Sequence, residues 1–169
     1  MSFSLLPTFT FRKLTEITPD FLKRRDIVLL MLDLDNTLAP YGENIPSEPV
    51  INWVAQIKDA GVTLFFVSNS RKPTRVELFA QALEIGYIKQ AQKPSPKKLL
   101  HIIAELGFSS KETALVGDQI FTDVLAANLA KTMSIIVKPI RLQNPLLAAR
   151  FALETPFRLI GAIKAKHEI

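Results

Sequence analysis

Short apolar runs alternate along the chain with longer segments in which apolar residues recur every three or four positions. The short runs lie at residues 27–32, 62–67, 113–116 and 133–137, and a further short strand is predicted near residues 87–91. Apolar runs of this length are typical of strands that are buried on both faces of a parallel sheet. The segments with helical periodicity lie at residues 47–60, 73–84, 96–106 and 123–130. This alternation predicts an α/β protein with a central parallel sheet and helices on both of its faces.

The first 26 residues precede the first core strand and carry many large apolar groups. The dipeptide Thr18-Pro19 predicts the start of a short helix, with Thr18 as its N-cap. We interpret residues 1–26 as a strap that covers one edge of the sheet. The alternative is an element that faces a membrane, with phenylalanine side chains in the lipid and basic residues beside them.

The last segment, residues 139–169, is predicted to be a helical tail. Its apolar residues are spaced three or four apart and form a stripe of Leu142, Leu146, Ala149, Leu153, Phe157, Ile160 and Ile163. Pro145 and Pro156 are expected to break or kink this helix. The stripe fits a helix that docks on the sheet, and it equally fits a basic amphipathic segment at a membrane interface. With these boundaries we expect a single domain over residues 1–169, with its core at about 27–137.

Composition narrows the class of protein. The chain has 169 residues, of which 48% are hydrophobic and 22% are charged, a balance typical of a folded domain. Cysteine is absent, which excludes disulfides and thiolate metal sites. No signal peptide and no membrane span is recognisable, so we expect a cytoplasmic protein. The formal net charge of +5 favours an anionic partner, such as a membrane surface, a nucleic acid or a phosphorylated substrate.

Polar side chains cluster just past the predicted strands. They are Asp33 and Asp35 after the first, Ser68 and Asn69 after the second, Lys93 after the third, and Asp118 and Asp123 after the fourth. The carboxyl ends of parallel strands lie along one edge of the sheet, where ligands of open α/β sheets bind. We therefore expect several carboxylates, one lysine and one hydroxyl to meet in one site.

This combination of groups suits phosphoryl transfer. Carboxylate oxygens suit Mg²⁺, and two carboxylates as close as Asp33 and Asp35 call for a bound metal, a shared proton, or both. A lysine and a hydroxyl that point to the same place would stabilise an oxyanion. A carboxylate can itself be the nucleophile. No P-loop motif is present, and the lack of cysteine and of paired histidines argues against a zinc site.

Four motifs in this order resemble those of the haloacid dehalogenase (HAD) superfamily of phosphatases. They are Asp33-Leu34-Asp35-Asn36-Thr37, Ser68-Asn69, Lys93-Pro94, and Gly117-Asp118-Gln119 with Asp123. The resemblance covers about residues 27–137. It implies a three-layer, Rossmann-like fold and catalysis through a phosphorylated aspartate.

The same resemblance implies a role for each site residue. Asp33 would be the nucleophile, and Asp35 would be the general acid and then the base that activates water. Ser68 would bind the phosphoryl group, and Lys93 would neutralise charge beside it. Mg²⁺ would be held by Asp33, Asp118 and the backbone carbonyl of Asp35, with Asp123 in support. The substrate-binding residues would be Asn36, Thr37 and Asn69.

The gaps between the motifs are too short for an inserted cap domain. A capless site is open, which favours a bulky substrate or closure by a partner subunit. The capless layout and the Phe/Leu-rich first segment resemble the YqeG-type branch of class III HAD phosphatases, which is similar to phosphatidylglycerophosphate phosphatases. That resemblance implies a phospholipid headgroup as substrate, a role in phospholipid biosynthesis, and peripheral contact with the inner face of a membrane. Assembly into a homo-oligomer, in which a partner subunit closes the site, is a further alternative.

Two alternative functions remain at this stage. One is a capless HAD phosphatase that acts on a sugar phosphate or a nucleic-acid end phosphate. Nucleic acid is not favoured, because no basic stripe with interleaved aromatic residues is visible. The other is a receiver-like switch that holds a phosphoryl group without turning it over. Asp35, two residues beyond Asp33, favours rapid hydrolysis over a long-lived phosphorylated state.

Overall fold

The computed structural model describes residues 4–70, 73–142 and 145–165. Six parallel strands form one sheet in the order β1-β6-β5-β2-β3-β4. The strands are β1 (Phe9–Phe11), β2 (Leu29–Leu32), β3 (Thr63–Val67), β4 (Gly86–Ile88), β5 (Thr113–Gly117) and β6 (Met133–Val137). The predicted parallel sheet is confirmed, and its central strand β2 is the apolar run that leads into Asp33.

Helices cover both faces of this sheet. They are α1 (Pro19–Lys23), α2 (Glu48–Asp59), α3 (Pro73–Leu83), α4 (Lys97–Glu105), α5 (Leu125–Ala130) and α6 (Pro145–Ala165). Alternate residues of β2 point to opposite faces, so Leu30 and Leu32 pack in the cluster with α1, α2 and α3. Leu29 and Met31 pack in the cluster with α4 and α5. The three-layer arrangement is therefore confirmed.

Residues 9–23 form an edge strand and a short helix. The strand β1 pairs in parallel with β6, with Phe9 opposite Ile135. Thr18 caps α1 as predicted, because its Oγ1 accepts a hydrogen bond from the Phe21 amide at 3.1 Å. The rings of Phe9 and Phe21 meet edge to face at 5.0 Å, and both are buried. These two rings are turned into the protein, which is contrary to the lipid-facing alternative.

The turn between α3 and β4 differs from the sequence-based prediction. The helix predicted over residues 73–84 ends at Leu83, and Gly86, one residue before the predicted strand, is the first residue of β4. A Cβ atom at Gly86 would lie 2.7 Å from the ring of Phe65, so the glycine permits close contact between neighbouring strands. The strand is also shorter than the predicted 87–91, since it ends at Ile88.

The last helix, α6, is longer and less broken than its prolines predict. Pro145 is its first residue, where a proline costs no helical hydrogen bond. Pro156 lies inside the helix and does not end it, so the predicted break is wrong. Pro156 is exposed, and its ring therefore meets no core side chain. The tail residues 143–144 and 166–169 lie outside the described residues.

No inserted cap domain is present in the described residues between the strands. Between β2 and β3 the chain holds a loop and α2, and between β3 and β4 it holds α3. The capless layout predicted from the sequence is confirmed. The carboxyl ends of the central strands are consequently open to one side.

Candidate active site

The predicted motifs meet at the carboxyl ends of the central strands. Asp33 follows β2, Ser68 follows β3 and Asp118 follows β5, and β2 lies between the other two strands. A cavity of about 330 Å³ opens here. Its lining residues include Asp33, Asp35, Tyr41, Asn69, Lys93, Gln119, Thr122, Asp123, Leu147 and Arg150. The topology therefore brings the predicted site residues Asp33 and Asp123 together, although they are 90 positions apart in the sequence.

Lys93 lies at the centre of the site, with its side chain 1% exposed. Its Nζ atom donates to Asp33 Oδ1 at 2.7 Å and lies 2.7 Å from Asp123 Oδ1. Burial lowers the pKa of Lys93, but the charges of Asp123 and Asp33 outweigh burial and raise that pKa above its ordinary value. Lys93 is therefore an ammonium group that joins two carboxylates.

Three buried carboxylates form a candidate metal site. One oxygen from each of Asp33, Asp118 and Asp123 lies within 4.8 Å of the other two. Burial is the main cause that raises the pKa of Asp33 to about 7 and of Asp118 to about 9, and neighbouring aspartates add to it. Oδ1 of Asp118 is buried and has no hydrogen-bond partner among the described residues. An oxygen-only donor set with one unpartnered buried oxygen fits a hard divalent cation.

Gly117 allows the loop after β5 to fold tightly over this cluster. A Cβ atom at this position would lie 2.2–2.4 Å from the Cγ, Oδ2 and Cβ atoms of Asp123. The Gln119 amide donates to Asp123 Oδ2 at 3.1 Å and fixes the direction of that carboxylate. A glycine at position 117 is thus needed for the close approach of the backbone and the Asp123 carboxylate.

Asp35 lies on the rim of the cavity and is held by Arg75, a residue that the sequence analysis missed. The Nη1 atom of Arg75 pairs with Asp35 Oδ1. Its other nitrogens donate to the loop that follows Asp35, from Nη2 to Pro40 O at 2.7 Å and from Nε to Glu43 O at 2.6 Å. Burial raises the pKa of Asp35, and the charge of Arg75 opposes this rise. Arg75 therefore orients a carboxylate that keeps some tendency to hold a proton.

Thr37 and Ser68 are the two hydroxyl residues among the predicted site residues, and Thr37 contacts Asp33 directly. Thr37 Oγ1 donates to Asp33 Oδ2 at 3.3 Å, so Asp33 is held through both of its oxygens. Ser68 is buried, and its Oγ accepts a hydrogen bond from the Ser70 amide at 3.0 Å. The hydroxyl hydrogen of Ser68 is then available as a donor toward a bound anion.

Two asparagines that were predicted to contact substrate use their side chains to hold loops. The Asn36 side chain donates to Arg141 O at 2.8 Å and accepts from Arg141 N at 3.3 Å. The Asn69 side chain donates to Lys93 O at 2.8 Å and accepts from Lys93 N at 2.9 Å. Each amide is occupied on both its oxygen and its nitrogen. The side chains thereby position Arg141 and Lys93, and the predicted contact of Asn36 and Asn69 with substrate stays a prediction, since Asn69 also lines the cavity.

A buried ion pair on α6 supports the loop that carries Asp118. Arg158 donates to the backbone carbonyl of Asp118, to Val137 O at 3.1 Å, and to Glu154 Oε2 at 2.9 Å. Glu154 Oε1 accepts a hydrogen bond from the Phe121 amide at 3.3 Å. Both side chains are almost fully buried. The predicted apolar stripe gave no sign of this role, because neither Glu154 nor Arg158 is part of it.

We expect Arg158→Met to weaken Mg²⁺ binding by about 10- to 100-fold, because groups that orient metal ligands have effects of this size. The single change also removes the closer of the two arginine partners of buried Glu154 and leaves Arg150 at 3.5 Å, so it should lower the free energy of unfolding by up to about 3–5 kcal/mol. The double variant Glu154→Gln/Arg158→Met should recover much of that stability and not the Mg²⁺ affinity. Thermal unfolding and isothermal titration with MgCl₂ separate these two effects. An unchanged Mg²⁺ affinity in both variants would contradict the positioning role.

The fold and this site define a family. A family profile described as haloacid dehalogenase-like hydrolase matches residues 10–131. The chain belongs to the haloacid dehalogenase-like hydrolase family. It is similar to the probable phosphatase YqeG of Bacillus subtilis (strain 168), with 30% identity over 164 residues that cover 97% of this chain and 94% of the relative. The family and this relative support the prediction that the chain is a phosphatase of the HAD type.

Solved structures share the fold at low sequence identity. A hypothetical protein from Xanthomonas campestris has a TM-score of 0.55 at 16% identity, covering 93% of this chain and 95% of its own. A 3-deoxy-D-manno-octulosonate 8-phosphate phosphatase from Yersinia pestis has a TM-score of 0.52 at 17% identity, covering 87% and 89%. These similarities establish the fold of this chain, and they do not identify its substrate.

Proposed function

We propose that this protein is a Mg²⁺-dependent phosphomonoester hydrolase that works through a phosphorylated Asp33, and that its substrate is a phospholipid, phosphatidylglycerophosphate. The observation that carries the reaction type is the contact between Asp33 and the buried Lys93, beside the cluster of Asp118 and Asp123. A carboxylate that is held at a strand end next to a cation and a metal site is arranged to attack a phosphoryl group.

Asp33 is the proposed nucleophile. Lys93 and Thr37 hold its two oxygens, so attack on phosphorus needs little further ordering of the side chain. A P–O bond forms to Asp33 and the P–O bond to the leaving alcohol breaks. Lys93 and the hydroxyl of Ser68 then face the negative charge on the transferred group.

Asp35 is the proposed general acid and base. It donates a proton to the leaving oxygen in the first step and takes a proton from the attacking water in the second. Burial raises its pKa, which favours the protonated form that the first step needs. Arg75 holds the carboxylate and the loop after it, and so sets the direction from which the proton is delivered.

The proposed Mg²⁺ would be held by Asp33, Asp118 and the backbone carbonyl of Asp35, with Asp123 in support. When bound, the ion would neutralise charge on the phosphoryl oxygens and offset the repulsion among the three carboxylates. The unpartnered Oδ1 of Asp118 and the raised pKa values of Asp33 and Asp118 support a cation at this position.

The proposed lipid substrate rests on the open site and on charge. No cap domain encloses the cavity among the described residues, so a phosphate on a large headgroup can enter from one side. The net charge of +5 favours an anionic surface, and Arg150 lines the cavity beside the carboxylates. Peripheral contact with the inner face of the membrane would bring such a headgroup to the site. No helix in the described part of the chain has both the length and the apolarity to cross a bilayer.

Phosphate release from several substrates tests this function. We would compare phosphatidylglycerophosphate in mixed micelles with an aryl phosphate, a sugar phosphate and an oligonucleotide 5′-phosphate at equal concentration. The proposal predicts the highest kcat/KM for the lipid. A higher kcat/KM for the sugar phosphate or the oligonucleotide would contradict the proposed lipid substrate, and it would still be consistent with a phosphatase. An acyl phosphate that persists for hours on the wild-type protein would support a phosphorylation switch instead.

Removal of the metal gives a separate prediction. EDTA should lower phosphate release by at least about 100-fold, because the ion neutralises charge in the transition state, and added MgCl₂ should restore the rate. Asp118→Asn removes one ligand without removing the nucleophile, so it should raise the Mg²⁺ concentration needed for half-maximal rate. Full activity of the wild type in EDTA would argue against a metal-dependent reaction.

A further inference from the structure

Between residues 145 and 163, the part of α6 whose side chains are described, every exposed residue is apolar. The exposed residues between 145 and 163 are Pro145, Leu146, Ala148, Ala149, Ala152, Leu153, Pro156, Leu159, Ile160 and Ile163. We call this set the outer face of α6. Leu146, Leu153 and Ile163 are 78%, 68% and 63% exposed, so these side chains are almost free of protein contacts. An apolar face of this length on a water-soluble surface marks an interaction site.

The opposite side of α6 carries the charged groups and faces the protein. Arg150, Glu154 and Arg158 lie within one stretch of the helix, and Glu154 and Arg158 are buried. Arg158 and Glu154 bond to the loop after β5, as described above. Gly161 packs against Pro7 so closely that a Cβ atom would lie 2.5 Å from the proline ring. The helix therefore cannot rotate to bury its apolar side without breaking buried ion pairs.

The residues around this face are basic and apolar. The segment before α6 combines exposed Ile140 and Leu142 with exposed Lys138 and Arg141. Lys138 and Ile140 also line a neighbouring cavity together with Arg12 and Lys13. An apolar face bordered by cationic side chains matches the surface of an anionic bilayer, whose interior accepts the leucines and whose headgroups attract the lysines and arginines.

The helix that carries the outer face also borders the active site. Leu147 and Arg150 belong to α6, and both line the cavity that holds Asp33, Asp35 and Lys93. A surface that engages α6 along its length of about 31 Å would therefore lie beside the opening of that cavity. A bilayer supplies both the apolar layer for this face and phosphorylated headgroups for the site.

We propose that the outer face of α6 lies in the interfacial layer of an anionic membrane and brings the active-site cavity to the level of the lipid headgroups. This inference deepens the proposed function, because it names the element through which the enzyme reaches a lipid phosphate. The helix lies along the surface, with its charged side toward the protein core and its leucine and isoleucine side chains among the acyl chains.

Sedimentation with vesicles tests this surface. The outer-face variant is Leu153→Gln/Ile160→Gln, and the matched control is Ile51→Gln/Leu100→Gln, which changes exposed residues of α2 and α4. Wild type and the control should bind vesicles that contain phosphatidylglycerol, and bind pure phosphatidylcholine vesicles more weakly. The outer-face variant should lose at least about tenfold in affinity for the anionic vesicles. Equal binding by the two double variants, or no binding by the wild type, would overturn the proposal.

Two further readouts separate the remaining outcomes. If the wild type is a dimer in sedimentation velocity and the outer-face variant is a monomer that binds vesicles as well as the wild type does, a second copy occupies this face and the proposal fails. Hydrolysis of a soluble aryl phosphate without vesicles should be unchanged in both double variants, because neither touches the cavity. If the wild type does not hydrolyse the aryl phosphate at all, the phosphatase function is refuted and the membrane proposal is not, since vesicle binding is measured independently.

Discussion

Replacing Asp33 with asparagine is expected to reduce phosphate release by at least about 10³-fold, because loss of a nucleophile removes the covalent route. The amide has nearly the shape of the carboxylate, so Lys93 and Thr37 keep a neighbour of the same size. Asparagine cannot form an acyl phosphate. Steady-state phosphate release from an aryl phosphate in MgCl₂ measures this loss.

Stability provides the control for Asp33→Asn. Burial raises the pKa of Asp33 to about 7, so the folded state binds a proton there more tightly than the unfolded chain, whose aspartate titrates near 3.8. The stability of the metal-free protein therefore falls as the pH rises from about 4 through about 7, and the substitution removes this cost. The thermal midpoint of metal-free Asp33→Asn at pH 8 should be at least that of the wild type. A folded variant with more than a tenth of wild-type activity would rule out Asp33 as the nucleophile.

Replacing Asp35 with asparagine should have the second largest effect, and its size should depend on the leaving group. Loss of a general acid costs about 10²–10⁴-fold when the leaving alcohol needs a proton. Phosphatidylglycerophosphate has such an alkyl leaving group, and the full loss is expected for it. An aryl phosphate leaves without a proton, so its first step should be slowed much less. Hydrolysis of the phosphorylated enzyme should then limit the rate.

The variant Arg75→Met is the matched comparison for Asp35→Asn. It removes the partner of Asp35 and of the Pro40 and Glu43 carbonyls, and it keeps the carboxylate. Because the charge of Arg75 holds the pKa of Asp35 down, and because Asp35 must be protonated for the first step, removal of Arg75 should move the basic limb of the kcat/KM profile to higher pH. Equal losses on aryl and alkyl phosphates in Asp35→Asn would argue against a proton transfer by this residue.

The position of the site could be predicted because the apolar runs in the sequence show where the strands end. Asp33, Ser68 and Asp118 each follow an apolar run, and parallel strands place such positions side by side. The contacts of Lys93 follow from the same topology. The order of the strands alone is enough to predict that Lys93 meets the carboxylates of the site, without any knowledge of side-chain packing.

Contacts between distant loops were not predictable in the same way. Arg75 reaches Asp35 across 40 positions, and Arg158 reaches Asp118 across 40 positions, with no local pattern that couples them. The amides of Asn36 and Asn69 fit a substrate pocket on the basis of sequence, yet they bond to Arg141 and Lys93. Only the packing of the loops decides which partner a short polar side chain finds.

In α6, the periodic pattern of apolar residues predicts the helix correctly but does not predict which side of the helix faces the protein. The spacing of its leucines correctly predicts a helix, and an apolar stripe usually faces a core. Here Leu146, Leu153 and Ile160 face outward, because the buried Glu154 and Arg158 hold the other side against the loop after β5. Phe157 alone of the stripe packs on another ring, that of Phe121 at 6.2 Å.

The most direct test of the central claim is to trap the phosphorylated enzyme. Asp35→Asn would be mixed with a ³²P-labelled aryl phosphate in MgCl₂ and quenched in acid within milliseconds to seconds. We predict that label binds to the protein in near-stoichiometric amount, is released by hydroxylamine as expected for an acyl phosphate, and is absent from Asp33→Asn/Asp35→Asn. Equal labelling of that double variant, or turnover by Asp35→Asn with no bound label at any time, would contradict a phospho-aspartate at Asp33.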